Sequence, residues 1–168
     1  AVILAHNYQI PDIQDIADLV GDSLDLAKKA TKTDADVIVF CGVDFMAEAA
    51  RILNPDKKVI IPDEAACCPM AAMVTPDRLR KKKQEYPDAK VVAYINTTAD
   101  VKAESDICCT SSNGVQVVKS LDAEQIIFVP DKNLGSYIKK QVENKKMILW
   151  DGFCATHDNI TKNHIEKL

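Results

Sequence analysis

Lys145-Lys146-Met147-Ile148-Leu149-Trp150-Asp151-Gly152-Phe153-Cys154-Ala155-Thr156-His157 reads as a short buried strand, a glycine-containing turn and a cysteine held in the next loop. An earlier stretch matches it: Lys57-Lys58-Val59-Ile60-Ile61-Pro62-Asp63-Glu64-Ala65-Ala66-Cys67-Cys68. Lys57 and Lys145, like Asp63 and Asp151, stand 88 positions apart, whereas Cys68 and Cys154 stand 86 apart. The first loop is therefore two residues longer. Two strand-then-cysteine loops one repeat apart point to equivalent thiols aimed at one shared centre.

The period extends outward from these loops. Val2-Ile3-Leu4-Ala5-His6-Asn7 answers Val91-Val92-Ala93-Tyr94-Ile95-Asn96 at an offset of 89, and Asp22-Ser23 falls opposite Thr110-Ser111 at 88. Asp36-Val37-Ile38-Val39-Phe40 answers Glu124-Gln125-Ile126-Ile127-Phe128, also at 88. Apolar runs, turns and polar strand ends recur in one order, the signature of a duplicated supersecondary unit. The expected division is residues 1–88 as one repeat and 89–168 as the second.

Apolar runs at 2–5, 37–41, 58–61, 91–95, 126–129 and 147–150 read as strands, and 107–109 looks extended. Helical patterns fill 11–20, 24–31, 45–53, a segment opened by Thr75-Pro76-Asp77, 99–105, 114–120, 134–142 and a last segment from about 162. Alternating strands and helices predict an α/β fold of repeated three-layer αβα units with short parallel sheets. In such folds ligands gather beyond the carboxyl ends of the strands. His6, Asn7, Tyr8, Tyr94, Asn96, Asp131, Lys132, Cys68 and Cys154 all fall there.

Composition bounds the function. With 47% hydrophobic residues, 27% charged residues and a net charge of −4, the 168-residue chain reads as a soluble protein with no basic field to hold nucleic acid. Lys81-Lys82-Lys83 reads as a solvated helix face. No apolar run approaches the roughly 20 residues of a membrane span. Six cysteines without a visible secretory signal suit a reducing, cytoplasmic compartment, where metal binding or catalysis outranks disulfides.

Thiolates are soft donors for iron–sulfur clusters, zinc or copper(I). Neither loop carries CxxC, and the adjacent pairs Cys67-Cys68 and Cys108-Cys109 suit joint ligation of one ion poorly. His6, beside Tyr8 at a strand end, suits carboxylate binding or proton movement. Tyr8 and Tyr94 offer phenolic hydrogen bonds. Ser23 and Ser111 stand before helices, where hydroxyl and backbone N–H groups attract anions or simply cap the helix. His157 is a candidate partner behind a metal ligand.

These residues lie in segments that make the chain resemble the quinolinate synthase family. The segments are Leu4-Ala5-His6-Asn7-Tyr8-Gln9 with Gln14-Asp15-Ile16-Ala17-Asp18, Gly21-Asp22-Ser23-Leu24, Phe40-Cys41-Gly42-Val43-Asp44-Phe45-Met46-Ala47-Glu48, Tyr94-Ile95-Asn96-Thr97-Thr98, Cys109-Thr110-Ser111-Ser112-Asn113, Pro130-Asp131-Lys132-Asn133-Leu134-Gly135 and Trp150-Asp151-Gly152-Phe153-Cys154-Ala155-Thr156-His157. The resemblance implies three similar α/β domains in a pseudo-threefold set around a central site. It implies an enzyme of NAD biosynthesis that condenses iminosuccinate (iminoaspartate), supplied by an aspartate-oxidising enzyme, with dihydroxyacetone phosphate. Phosphate and water leave, and quinolinate forms. It implies a [4Fe–4S] cluster held by one cysteine per domain, two of them Cys68 and Cys154, with the third outside this chain. His6, Tyr8 and Tyr94 are then the expected catalytic residues. His6, Ser23, Tyr94, Ile95, Asn96 and Ser111 are expected to bind substrate.

Two departures stand out: the chain ends after two repeats and lacks the family's lead-in, so a fragment is expected, and Ala72 stands where the family often has Asp or Asn. The alternative on the same scaffold is a non-catalytic anion- or metal-binding module.

Overall fold

Residues 2–6 pair on both sides, and this strand organises the first sheet. Val2–His6 (β1) lies between Leu19–Gly21 (β2) and Val37–Cys41 (β3), with Lys58–Ile60 (β4) outside β3, all parallel. The second sheet has the same order: Lys90–Tyr94 (β5) lies between Ile107–Cys109 (β6) and Gln125–Val129 (β7), with Lys146–Leu149 (β8) outside β7. This computed structural model describes residues 1–167 and divides them into one unit ending at Cys68 and one beginning at Pro69. Each unit is an α/β layer structure of the expected class.

The register confirms the duplication and corrects one offset. Leu4 opposite Leu19 becomes Val92 opposite Ile107, and Val2 opposite Ile38 becomes Lys90 opposite Ile126. Val37 opposite Lys58 becomes Gln125 opposite Lys146. The shift is 88 at every pair, including the first strand, where the sequence comparison gives 89. A continuous apolar run looks the same after a slip of one residue, so only the ladder decides. The corrected register makes His6 the counterpart of Tyr94.

Two side-chain devices recur at the same spacing. Asp18 Oδ2 accepts the Ile3 N–H at 2.7 Å, and Asp106 Oδ2 accepts the Val91 N–H at 2.8 Å. In each unit this carboxylate satisfies a backbone donor where the edge strand begins. Lys57 Nζ donates to the Ala30 carbonyl at 2.8 Å and to the Thr33 carbonyl. Lys145 Nζ donates to the Leu121 and Ala123 carbonyls at 2.6 and 2.9 Å. Both ammonium groups thereby tie the end of a helix to the start of the last strand of the sheet.

In the first unit Pro11–Asp15 (α1) buries no side chain, while Ser23–Ala30 (α2) and Asp44–Leu53 (α3) bury Leu26, Ala27 and Ala30, and Phe45, Met46, Ala49 and Ala50. In the second unit alternate strand residues fill opposite faces. Val91, Ala93, Ile127 and Val129 pack with Leu79 of Pro76–Glu85 (α4), Val101 of Ala99–Ala103 (α5) and Trp150. Val92, Ile126 and Phe128 pack with Val118 of Gly114–Ser120 (α6) and Ile138 of Lys132–Lys139 (α7). Each fully buried Val, Leu or Ile there contributes about 1.5–3 kcal/mol of transfer free energy. Ala155–Asp158 (α8) and Lys162–Glu166 (α9) bury nothing.

The largest departure from the sequence-based reading is β2. The apolar spacing of Ile13, Ile16, Ala17 and Val20 predicts a helix to residue 20, yet α1 stops at Asp15 and Leu19–Gly21 pairs with β1. A three-residue edge strand has too few residues to show a period of two, and strand pairing overrides local pattern. Helix α7 begins two residues before the predicted start because Asp131 caps it, accepting the Asn133 and Leu134 N–H groups at 2.7 and 3.3 Å. Among the described residues no helix is long and apolar enough to cross a membrane.

Gly152 sits where backbone meets backbone. Residues 131 and 152 form a parallel bridge, and a Cβ on Gly152 would stand 2.4 Å from the Pro130 carbonyl oxygen. Neither atom can turn aside, so Gly152→Ala is expected to cost about 1–3 kcal/mol. The check is the urea midpoint, and an unchanged midpoint would mean that the bridge has room.

Candidate active site

The carboxyl edge of the first sheet begins with His6, the last residue of β1. It is 7% exposed, and its Nδ1 accepts the Tyr8 N–H at 3.2 Å. The neutral ring then carries its proton on Nε2, a donor suited to an anionic ligand. Burial lowers its pKa from 6.5, opposed in part by the charge of Asp22. Tyr8 is 81% exposed, its ring edge-on to His6 at 4.6 Å between centroids. Gln14, missed as a site residue by the sequence-based reading, fixes this loop: Nε2 donates to the Gln9 carbonyl at 2.7 Å and the Asn7 carbonyl at 3.2 Å. The ladder continues past the strand, with the Asn7 N–H on the Gly21 carbonyl at 3.0 Å.

Beside them, Asp22 caps α2 by accepting the Asp25 N–H at 2.8 Å, so Ser23 is the first helical residue and not the cap. A cavity of about 200 Å³ on this edge is lined by Gln9, Ile13, Cys41, Gly42, Pro62, Asp63 and Ala66.

The second sheet presents Tyr94, Ile95 and Asn96 at the end of β5, all half-buried. The Ile95 N–H donates to the Cys109 carbonyl at 2.8 Å, the counterpart of the Asn7 bond. Thr97 is fully buried and its hydroxyl donates to the Tyr94 carbonyl at 3.1 Å. Ser111 is exposed in the turn after β6, three residues before α6. That turn does not cap the helix with a side chain as expected: Asn113 Oδ1 accepts the Thr110 N–H at 2.7 Å instead.

The two cysteine loops follow β4 and β8. Each is anchored to the first residue of the helix after the third strand: the Asp44 N–H donates to the Ala66 carbonyl at 2.9 Å, and the Lys132 N–H to the Gly152 carbonyl at 2.7 Å. The cysteine lies two residues beyond the anchor in both, at Cys68 and Cys154, and both are half-buried. This shared anchor makes Cys68 the counterpart of Cys154 and leaves exposed Cys67 opposite Phe153.

The six cysteines are all thiols. Burial pushes Cys41 and Cys108 up, Cys108 against the pull of Lys102, while burial and the neighbouring Cys108 raise Cys109 to about 12. These three are poor thiolates at neutral pH. Among the described residues no three His, Cys, Asp or Glu side chains gather to hold an ion. His157 is exposed on α8, and His164 is exposed on α9.

The sheets and their polar carboxyl edges define a duplicated parallel α/β protein whose loops carry matched thiols. Within that class, the family model described as NadA, quinolinate synthetase A protein, matches residues 1–168, and the chain belongs to this family. It is 58% identical over 168 residues to a quinolinate synthase of Alkaliphilus metalliredigens, covering all of this chain and 55% of that one. A quinolinate synthase of Aquifex aeolicus is 57% identical and one of Sulfurihydrogenibium sp. 61%, again over the whole chain and over 52% and 54% of theirs. The chain thus spans about half the length of the curated relatives it matches.

His6 supplies a pH test. Its folded pKa is below 6.5, so on acidification the unfolded chain binds the proton first. His6 therefore leaves stability intact above 6.5 and weakens it as pH falls below that value toward the folded pKa. The urea midpoint of the parent is expected to fall between about pH 7.5 and about pH 5.5 more steeply than that of His6→Gln. Parallel profiles would show that the imidazole titrates alike in both states.

Proposed function

We propose that these two repeats belong to a quinolinate synthase that condenses iminosuccinate with dihydroxyacetone phosphate, releasing phosphate and water. The observation that carries the reading is the family match along the whole chain, joined to polar residues at equivalent ends of β1 and β5. A third repeat completes the pseudo-threefold set and contributes the third cysteine.

The donor chemistry fits a [4Fe–4S] cluster: Cys68 and Cys154 are half-buried thiols on anchored loops, outside any disulfide. When bound, the cluster supplies a Lewis-acidic iron. The chain's own residues bind and move protons. His6 donates through Nε2 to a substrate carboxylate or phosphate. Ser23, Ser111 and Asn96 add neutral donors, and Ile95 gives the substrate an apolar wall. Tyr8, exposed at the rim and in contact with His6, transfers a proton at its phenolic oxygen, and Tyr94 assists proton movement from the second sheet. The substrates and product are small, soluble and anionic, so a cytoplasmic protein fed by an aspartate-oxidising enzyme fits this chemistry.

Two experiments on the full-length protein test the reading. Cys68→Ser is expected to abolish the visible absorbance of the anaerobically reconstituted cluster, while Cys67→Ser retains it; a reversed pair would assign the ligand to Cys67. Tyr8→Phe is expected to lower kcat by about 10²-fold or more with the cluster spectrum unchanged. Normal turnover in that variant would remove Tyr8 from proton transfer.

A further inference from the structure

The loop that carries Cys154 leads into a helix with little to hold it. Helix α8 buries no side chain, so apolar packing does not fix its position. A short hydrogen-bonded relay does. Asn133 Nδ2, in the first turn of α7, donates to Asp158 Oδ1 at 2.8 Å. The Asp158 N–H in turn donates to the Cys154 carbonyl at 2.8 Å, closing the one turn of α8 on the cysteine itself. On the other side of Cys154, Lys132 sets the loop from the same helix end: its Nζ stands 4.5 Å from the Phe153 ring centre and 3.6 Å from Asp151 Oδ1. The start of α7 is itself pinned by buried Asp131, so its side chains project from a fixed base.

We propose that Asn133 is a positioning residue for Cys154, acting through Asp158. The proposal rests on Cys154 being a cluster ligand, and it adds what holds that ligand in place. Asn133 reaches Cys154 through Asp158 and not directly. It restricts the backbone of residues 154–158, so the thiol waits in one arrangement. Partners behind a metal ligand act in this way, by limiting the orientations open to the donor.

The test uses Asn133→Ala, Asn133→Asp and the swap Asn133→Asp with Asp158→Asn, all in the full-length protein. In Asn133→Asp two carboxylates face each other. The swap restores a hydrogen bond with donor and acceptor exchanged. In the metal-free protein, alkylation of Cys154 by iodoacetamide is followed by peptide mass spectrometry against Cys67 as an internal reference. Both single variants are expected to speed Cys154 labelling about fivefold, the change in open population that one exposed hydrogen bond permits, and the swap to restore the parent rate. In the reconstituted protein, cluster loss to a chelator is expected to quicken on the order of tenfold in the single variants and to recover in the swap. Parent-like labelling in both single variants overturns the proposal, as does a swap that labels as fast as they do. Faster labelling with cluster loss unmoved would leave the relay standing and overturn Cys154 as a ligand.

Discussion

Parallel pairing of one central strand with a neighbour on each side is the constraint from which the rest follows. A parallel ladder runs every strand the same way, so all four carboxyl ends of a sheet open on one edge. The ladder does not stop with the strand. Asn7 bonds to the Gly21 carbonyl, and Ile95 bonds to the Cys109 carbonyl, which extends the regular backbone one residue beyond β1 and β5. His6 and Tyr94 are therefore held by backbone on the side of β2 and β6. Their positions come from the sheet, and only their side chains come from local sequence.

The two units divide into a frame that matches and an edge that differs. Asp18 and Asp106 make the same backbone bond at the edge strand, and Lys57 and Lys145 tie the same helix end. These polar groups work where the unpaired backbone would otherwise be costly, so either unit loses stability without them. At the carboxyl edge the side chains that meet loop backbone, such as Gln14 and Asn113, differ between the units. His6 faces Tyr94 in the alignment of the units, Asp22 faces Thr110 and Gly21 faces Cys109. A side chain there is free to serve a ligand because the ladder, not the side chain, carries the fold.

The frame was legible in the sequence because apolar runs and turns recur at fixed spacing. The class, the parallel sheets and seven of the eight strands follow from that. The strand Leu19–Gly21 was not legible alone, yet its counterpart Ile107–Cys109 was, and the spacing of 88 connects them. Caps were harder. Thr75 before Pro76 reads correctly as a helix start, whereas Ser111 resembles a cap in a turn that Asn113 folds by binding Thr110. At the carboxyl edge, the position of His6 and Tyr8 could be read from the apolar run before them. Gln14 and Asn133 could not, because each acts by side-chain bonds to a loop whose path the sequence does not show.

The cysteine loops show how unequal lengths reach equivalent ends. After β4 the chain folds back through an Asp63 turn, in which Oδ1 accepts the Ala65 N–H at 2.9 Å. After β8 it passes through Gly152 in a backbone bridge too tight for a side chain. The two-residue difference is absorbed before the anchor, since Ala66 and Gly152 accept from N–H groups 88 positions apart while standing 86 apart themselves. Beyond the anchor the count is the same, and it ends on Cys68 and Cys154. A loop fixed by its end rather than its length tolerates insertion, because closing a slightly longer loop costs little entropy. What cannot shift is the distance from the anchoring carbonyl to the sulfur-bearing residue, and it is there that the two units agree.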